Sequence, residues 1–131
     1  MFSADGGLVV ILNGEIYNYR ELREHLTAKG HRFHTQTDTE VLLAAWAEWG
    51  DECLSRLNGM FAFALWDDKE HALYLVRDRV GIKPLYYAQY AGGIIFASEP
   101  QALLKTDLIA PTIRRDAATE FKIGRPLLER S

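Results

Sequence analysis

The run Met60-Phe-Ala-Phe-Ala-Leu65 constrains this chain more than any other stretch, because both alternating sets of its side chains are apolar or small. A β-strand sends successive side chains to opposite faces, so such a strand has to be covered on both sides. The strand-like pattern reaches Trp66, and Ala72 to Arg77 repeats it after the polar Asp67-Asp-Lys-Glu70, which predicts a hairpin. Pro84 to Tyr90 and Ile94 to Ser98, around Ala91-Gly92-Gly93, predict a second. Consecutive antiparallel hairpins need helices from elsewhere in the chain as a covering layer.

The first third of the chain supplies them. Leu8-Val-Val-Ile-Leu12 reads as a buried strand stopped by a turn at Asn13-Gly14. Asn18 is placed to cap a helix from about Tyr19 to Lys29, with Leu22 and Leu26 on one face and Gly30 as its stop. His31 to Gln36 reads as extended. Thr37-Asp-Thr-Glu40 has capping-box spacing and opens a helix with Leu42, Ala45, Trp46 and Trp49 at i, i+3, i+4, i+7. Gly50 ends it, and Asp51 to Leu57 reads as a further short turn or two. The order predicts a layered α+β domain over residues 1–111 and argues against a parallel βαβ series. Residues 112–131 read as a tail, with a helix around Asp116 to Lys122 and the last eight residues loosely held.

At 131 residues the chain is long enough for one domain with a core. Its charged residues are interspersed and its net charge is -3, so no basic cluster marks a nucleic-acid surface. No apolar run approaches the roughly 20 residues that span a bilayer. Cys53, the single cysteine, cannot form an internal disulfide, and no Cys/His spacing resembles a metal site. A reducing, cytoplasmic setting is expected.

Several residues are candidates for chemistry. Asn13 and Gly14, where the strand turns, could aim a side-chain amide and a backbone N–H at one point, as an oxyanion hole does, each donor worth about 3 kcal/mol. On turn chemistry alone, Asn-Gly reads as a turn. Asp38, at a helix start, could pair with a ligand ammonium, although an acid there ordinarily serves the helix dipole. Cys53 follows Asp51-Glu52, whose charges oppose a thiolate, and reads as a packed residue. His25, His31, His34 and His71 read as surface or loop residues. Arg77 to Leu85 is a charged Gly/Pro-containing connection to which spacing alone assigns no chemistry.

Together these stretches are more specific than any one of them. Asn13-Gly-Glu-Ile-Tyr-Asn18 with Tyr19-Arg-Glu-Leu-Arg23 resembles the glutaminase domain of asparagine synthetases, a class II glutamine amidotransferase. Thr37-Asp-Thr-Glu-Val41, Leu57 to Asp67, Arg77 to Tyr86 and Ala97-Ser98-Glu99 continue the match in order, over about Leu8 to Leu104.

The resemblance implies the N-terminal-nucleophile hydrolase sandwich, a four-layer αββα arrangement of antiparallel sheets, here incomplete at its N-terminal edge. It implies that glutamine is hydrolysed to glutamate and ammonia, which a synthetase domain uses for ATP-dependent amidation of aspartate. Asn13 and Gly14 match the oxyanion-hole pair, Glu15 a residue contacting glutamine, and Asp38 the acid that binds its α-ammonium. The family's N-terminal cysteine nucleophile and carboxylate-gripping arginine have no counterpart in this chain, which is expected to be inactive alone. No cofactor or metal is expected within it, since ATP and magnesium belong to the synthetase domain, its expected partner. The alternative implied is a catalytically dead remnant serving as a binding module.

Overall fold

The computed structural model describes residues 1–107 together with the backbone of two strands, Ala118–Lys122 and Leu128–Arg130. In chain order the elements are β1 (Leu8–Ile16), α1 (Tyr19–Ala28), α2 (Asp38–Trp49), a 3₁₀ turn (Gly50–Arg56), β2 (Gly59–Asp67), β3 (Ala72–Arg77), β4 (Tyr86–Tyr90), β5 (Gly93–Ala97), α3 (Pro100–Leu104), β6 (Ala118–Lys122) and β7 (Leu128–Arg130). An antiparallel sheet runs β1-β2-β3-β6-β7, and β4 and β5 form a separate antiparallel pair.

The two-sided apolar run is β2, with Phe61 through Leu65 all buried. Phe61, Phe63 and Leu65 point to the helical side, where they join Val10, Ile16, Leu22, Leu26, Leu42 and Trp46 in the main core. Trp46 packs edge-on against Phe63 and Tyr74, with ring centroids 6.2 and 4.6 Å away. Ala62 and Ala64 face the other way and meet Leu75, Leu85 and Tyr87, which join the large sheet to the small one. Burial of each large side chain contributes roughly 1.5–3 kcal/mol, so the helix-side core dominates stability. Helix α3 buries Leu103 and packs against β4 and β5.

Several local expectations are revised. β1 does not turn at Asn13-Gly14: its pairing runs unbroken from Leu8↔Asp67 to Ile16↔Gly59. Gly14 carries the strand on at φ +116° because it has no Cβ to strike β2. The strand is only half-buried, with Ile11 65% exposed. Residues 31–37 form an irregular connection, not a strand, because the Glu40 carboxylate takes the N–H groups of His34 and Thr35 that a ladder would need. The tail expectation also changes: Ala118–Lys122 is a strand paired with β3, and Leu128–Arg130 pairs with β6. The open hydrogen-bonding edge of β3 outweighs the helical tendency read locally. Asp116, Ala117 and residues 123–127 lie outside the described residues.

The caps form by routes of their own. Thr37 Oγ1 accepts from Glu40 N–H at 3.3 Å, as a capping box requires, but Glu40 reaches back beyond Thr37. Burial works against the charge on Glu40, and the His34 and Thr35 N–H groups outweigh it, holding the carboxyl below its usual range. Asn18 precedes α1 but its side chain does not cap it. It donates to the Arg56 carbonyl (2.7 Å) and accepts from Asn58 N–H (3.0 Å), tying the start of α1 to the entry of β2.

Candidate functional site

The outer edge of β1 and the start of α2 build the site. In an antiparallel ladder, alternate residues direct their backbone groups to opposite edges. Val10 N–H donates outward to the Met1 carbonyl at 2.9 Å, and Ile16 N–H donates outward to Asp38 Oδ2 at 3.0 Å. Gly14 falls between them in the same phase, opposite Phe61, whose own N–H and carbonyl both turn away to Asp78. The Gly14 N–H therefore belongs to the outer edge.

That edge opens into a cavity of about 510 Å³ lined by Gly14, Glu15, Ile16, Tyr17, Tyr19, Gln36 and Asp38. Three of the predicted site residues, Gly14, Glu15 and Asp38, thus share one pocket. Asp38 is half-buried at the first turn of α2, and the Ile16 bond fixes its carboxylate against the end of β1. Its other oxygen lies 3.5 Å from Thr39 Oγ1. Glu15 is exposed. Two acidic side chains beside an outward N–H can hold a ligand bearing an ammonium at one end and a polarised carbonyl at the other.

Asn13 stands on the adjoining face. Its side chain lines a second cavity, of about 230 Å³, between the sheets, with Ile11, Ala62, Ala64, Leu85, Phe96 and Ser98 among the lining residues. Its Nδ2 donates to Ser98 Oγ at 3.4 Å, a long bond that leaves the amide's second N–H available. Gly14, the next residue along β1, lines the first cavity and not the second. A Cβ there would lie 2.0 Å from the Met60 carbonyl oxygen, and one at Gly59 would lie 2.1 Å from that of Glu15. These reciprocal close approaches demand glycine at both positions.

Sequence reasoning left Arg77 to Leu85 without a role. The structure makes it a clamp: buried Asp78 accepts from Phe61 N–H (3.1 Å), Ile82 N–H (3.2 Å) and Lys83 N–H (3.4 Å). Burial alone would raise the Asp78 carboxyl, and the surrounding backbone N–H groups overcome that and hold it below the usual carboxylate range. The clamp leads directly into Pro84 and Leu85 on the wall of the cavity that Asn13 lines. Gln36, Tyr17 and Tyr19 were not singled out from sequence either. The signal available for Gln36 was its place two residues before Asp38.

Cys53 is buried, and burial first, then the Asp51 charge, push its thiol up to about 12. It lines neither of these cavities. His25, His34 and His71 are exposed, and His31 approaches Glu48 at 3.8 Å. Among the described residues no group of His, Cys, Asp and Glu could hold a metal ion, and no helix is long and apolar enough to cross a membrane.

The fold is that of the amidotransferases of the N-terminal-nucleophile class. Glutamine phosphoribosylpyrophosphate amidotransferase from B. subtilis, solved with ADP and GMP, superposes with a TM-score of 0.74 at 24% identity, covering 94% of this chain and 29% of that one. A family profile described as glutamine amidotransferase domain matches residues 1–126, and the chain belongs to that family. Asparagine synthetase [glutamine-hydrolyzing] 1 of Bacillus subtilis is 54% identical over 95 residues, covering 72% of this chain and 15% of that protein. Asparagine synthetase [glutamine-hydrolyzing] 3 of the same organism is 43% identical over 116 residues, covering 88% and 19%. The chain thus spans less than a fifth of the length of these relatives.

Proposed function

We propose that this chain is the glutamine-binding, ammonia-supplying part of a glutamine-hydrolysing asparagine synthetase. The observation that carries the reading is the Asp38–Ile16 bond, which sets a carboxylate at the end of β1 in the same pocket as Gly14 and Glu15. In this reading Asp38, assisted by Glu15, receives the α-ammonium of glutamine. The Gly14 N–H and the Asn13 amide stabilise the oxygen of the side-chain carbonyl as it gains charge during acyl transfer. Amide hydrolysis in such a site needs a nucleophile, and Cys53, buried and protonated, is not one. Among these 131 residues the site has no thiol, so the purified chain is expected to bind glutamine without releasing glutamate. Ammonia released after completion of the site would pass to a synthetase part in which ATP and magnesium activate aspartate, in the cytoplasm.

The test is an amide NMR titration of the chain with L-glutamine. The expected shifts are at Gly14 and at Ile16, whose N–H reports on Asp38, together with the Asn13 side-chain amide. Asp38→Asn removes the charge and is expected to weaken binding about tenfold or more. Shifts confined to other surfaces, or an Asp38→Asn affinity equal to that of the unaltered chain, would refute the assignment.

A further inference from the structure

The pocket's acidic residues account for only one end of an amino acid. Gln36 lines the same cavity, and its Oε1 accepts from Arg23 Nη1 on α1 at 2.7 Å. The Arg23 guanidinium in turn lies over the Phe33 ring, 5.1 Å from its centroid, which fixes its place between helix and connection. A guanidinium has donors and no acceptor, so the atom of Gln36 that faces it has to be the amide oxygen. The orientation of this amide is thereby determined chemically, and its NH₂ group is directed away from Arg23. The pocket consequently carries acceptors on Asp38 and Glu15 and an oriented side-chain N–H donor on Gln36, with a fixed positive charge behind it.

We infer that Gln36 is a specificity-determining residue whose Nε2 donates to the α-carboxylate of the bound amino acid, with Arg23 as the positioning residue that aims it. The inference deepens the proposed function and rests on the reading of this pocket as the glutamine site. It also explains why an exposed glutamine is anchored by a charged hydrogen bond to a residue thirteen positions earlier. The side chain is pre-aligned, so less rotamer freedom is lost on binding.

The test compares two ligands on the 131-residue chain: L-glutamine, and L-glutaminamide, which keeps the ammonium and the side-chain amide but lacks the carboxylate. Gln36→Glu replaces the donor by a negative charge, while Arg23 can still pair with the new side chain. Expected is a loss of L-glutamine affinity of about tenfold or more, with L-glutaminamide changed by less than about twofold. Gln36→Ala, which introduces no charge, is expected to give a smaller loss with the same selectivity. Equal losses for both ligands, or none for L-glutamine, overturn the inference and leave the glutamine-site reading standing. An unaltered chain that binds neither ligand refutes that reading, and the inference with it.

Discussion

Three glycines permit the geometry of the β1–β2 contact to be tested one physical cause at a time. At Gly30, φ is +101° and a Cβ would meet nothing within 4 Å, so Gly30→Ala introduces backbone strain alone. At Gly59, φ lies outside the left-handed range but a Cβ would sit 2.1 Å from the Glu15 carbonyl oxygen, so Gly59→Ala introduces a clash alone. Gly14 combines both, at φ +116° and 2.0 Å from the Met60 carbonyl oxygen. Left-handed strain costs about 1–2 kcal/mol, partly offset by the lower unfolded-state entropy of alanine, for a net loss of about 1 kcal/mol at Gly30. A backbone approach more than an ångström too close forces β1 and β2 apart, costing about 3 kcal/mol by analogy with overpacked cores. Gly14→Ala is therefore expected to cost about 4 kcal/mol, a large part of the roughly 5–15 kcal/mol that holds a domain folded. With an unfolding entropy of about 2.1 cal/mol/K per residue, this corresponds to drops in Tm of about 4, 11 and 15 °C for Gly30→Ala, Gly59→Ala and Gly14→Ala. Thermal denaturation followed by near-UV circular dichroism at one protein concentration gives the three values. The Gly14/Gly59 double variant should lose less than the sum of the two, since one displacement of the strands relieves both clashes. A Gly59→Ala midpoint within about 3 °C of the unaltered chain would refute the close approach, and with it the account of why β1 passes through Asn13-Gly14 as a strand.

Other outcomes follow from groups with shifted acidities. Because Cys53 is held at about 12, the native chain at pH 8 should resist a disulfide reagent such as DTNB and react only as denaturant unfolds it. Stoichiometric labelling within a minute of mixing would contradict its burial, and glutamate release abolished by Cys53→Ala would contradict its structural role. Asp78 has a folded-state carboxyl below its unfolded value, so its contribution is fully present above about pH 4 and is lost as the pH falls through the folded value. Asp78→Asn should accordingly be less stable at pH 6, by about 2 kcal/mol or more, and lose less on going to pH 3. Urea midpoints at the two pH values decide this, and parallel losses would remove Asp78 from the acid response. Glu40→Gln should cost about 1–2 kcal/mol at pH 7 by weakening the bonds to His34 and Thr35 N–H, read as a urea midpoint shift with unchanged slope.

The fold was most legible where one residue's chemistry has one structural use. The two-sided apolar run of β2, the Leu22/Leu26 face of α1 and the Thr37 cap of α2 all appear where the sequence places them. What stayed hidden depends on partners distant in sequence. Asn-Gly is a turn signal locally, and becomes mid-strand because β2 offers pairing out to Gly59 and a backbone close enough to require Gly14. Thr119 and Phe121 form a strand because β3 has an open edge, which no local window records. The same division holds at the candidate site. Gly14, Glu15 and Asp38 were named through resemblance, and the structure brings them into one pocket across 22 residues by the Ile16–Asp38 bond. Gln36 was missed because its orientation is set by Arg23 on another element, and the Asp78 clamp because a carboxylate bound by backbone N–H groups leaves no side-chain pattern to read.

The alanines of β2 separate two properties that are usually coupled in a protein interior. Phe61, Phe63 and Leu65 press on the helices, while Ala62 and Ala64, on the same strand, floor the cavity beside Asn13. A larger side chain at either position would project toward that cavity, on the face of β2 opposite the helix-side core. The residues that shape the cavity are therefore largely distinct from those that pack the helix-side core. A chain of this kind can explore new ligand shapes through its alanines while its phenylalanines keep it folded.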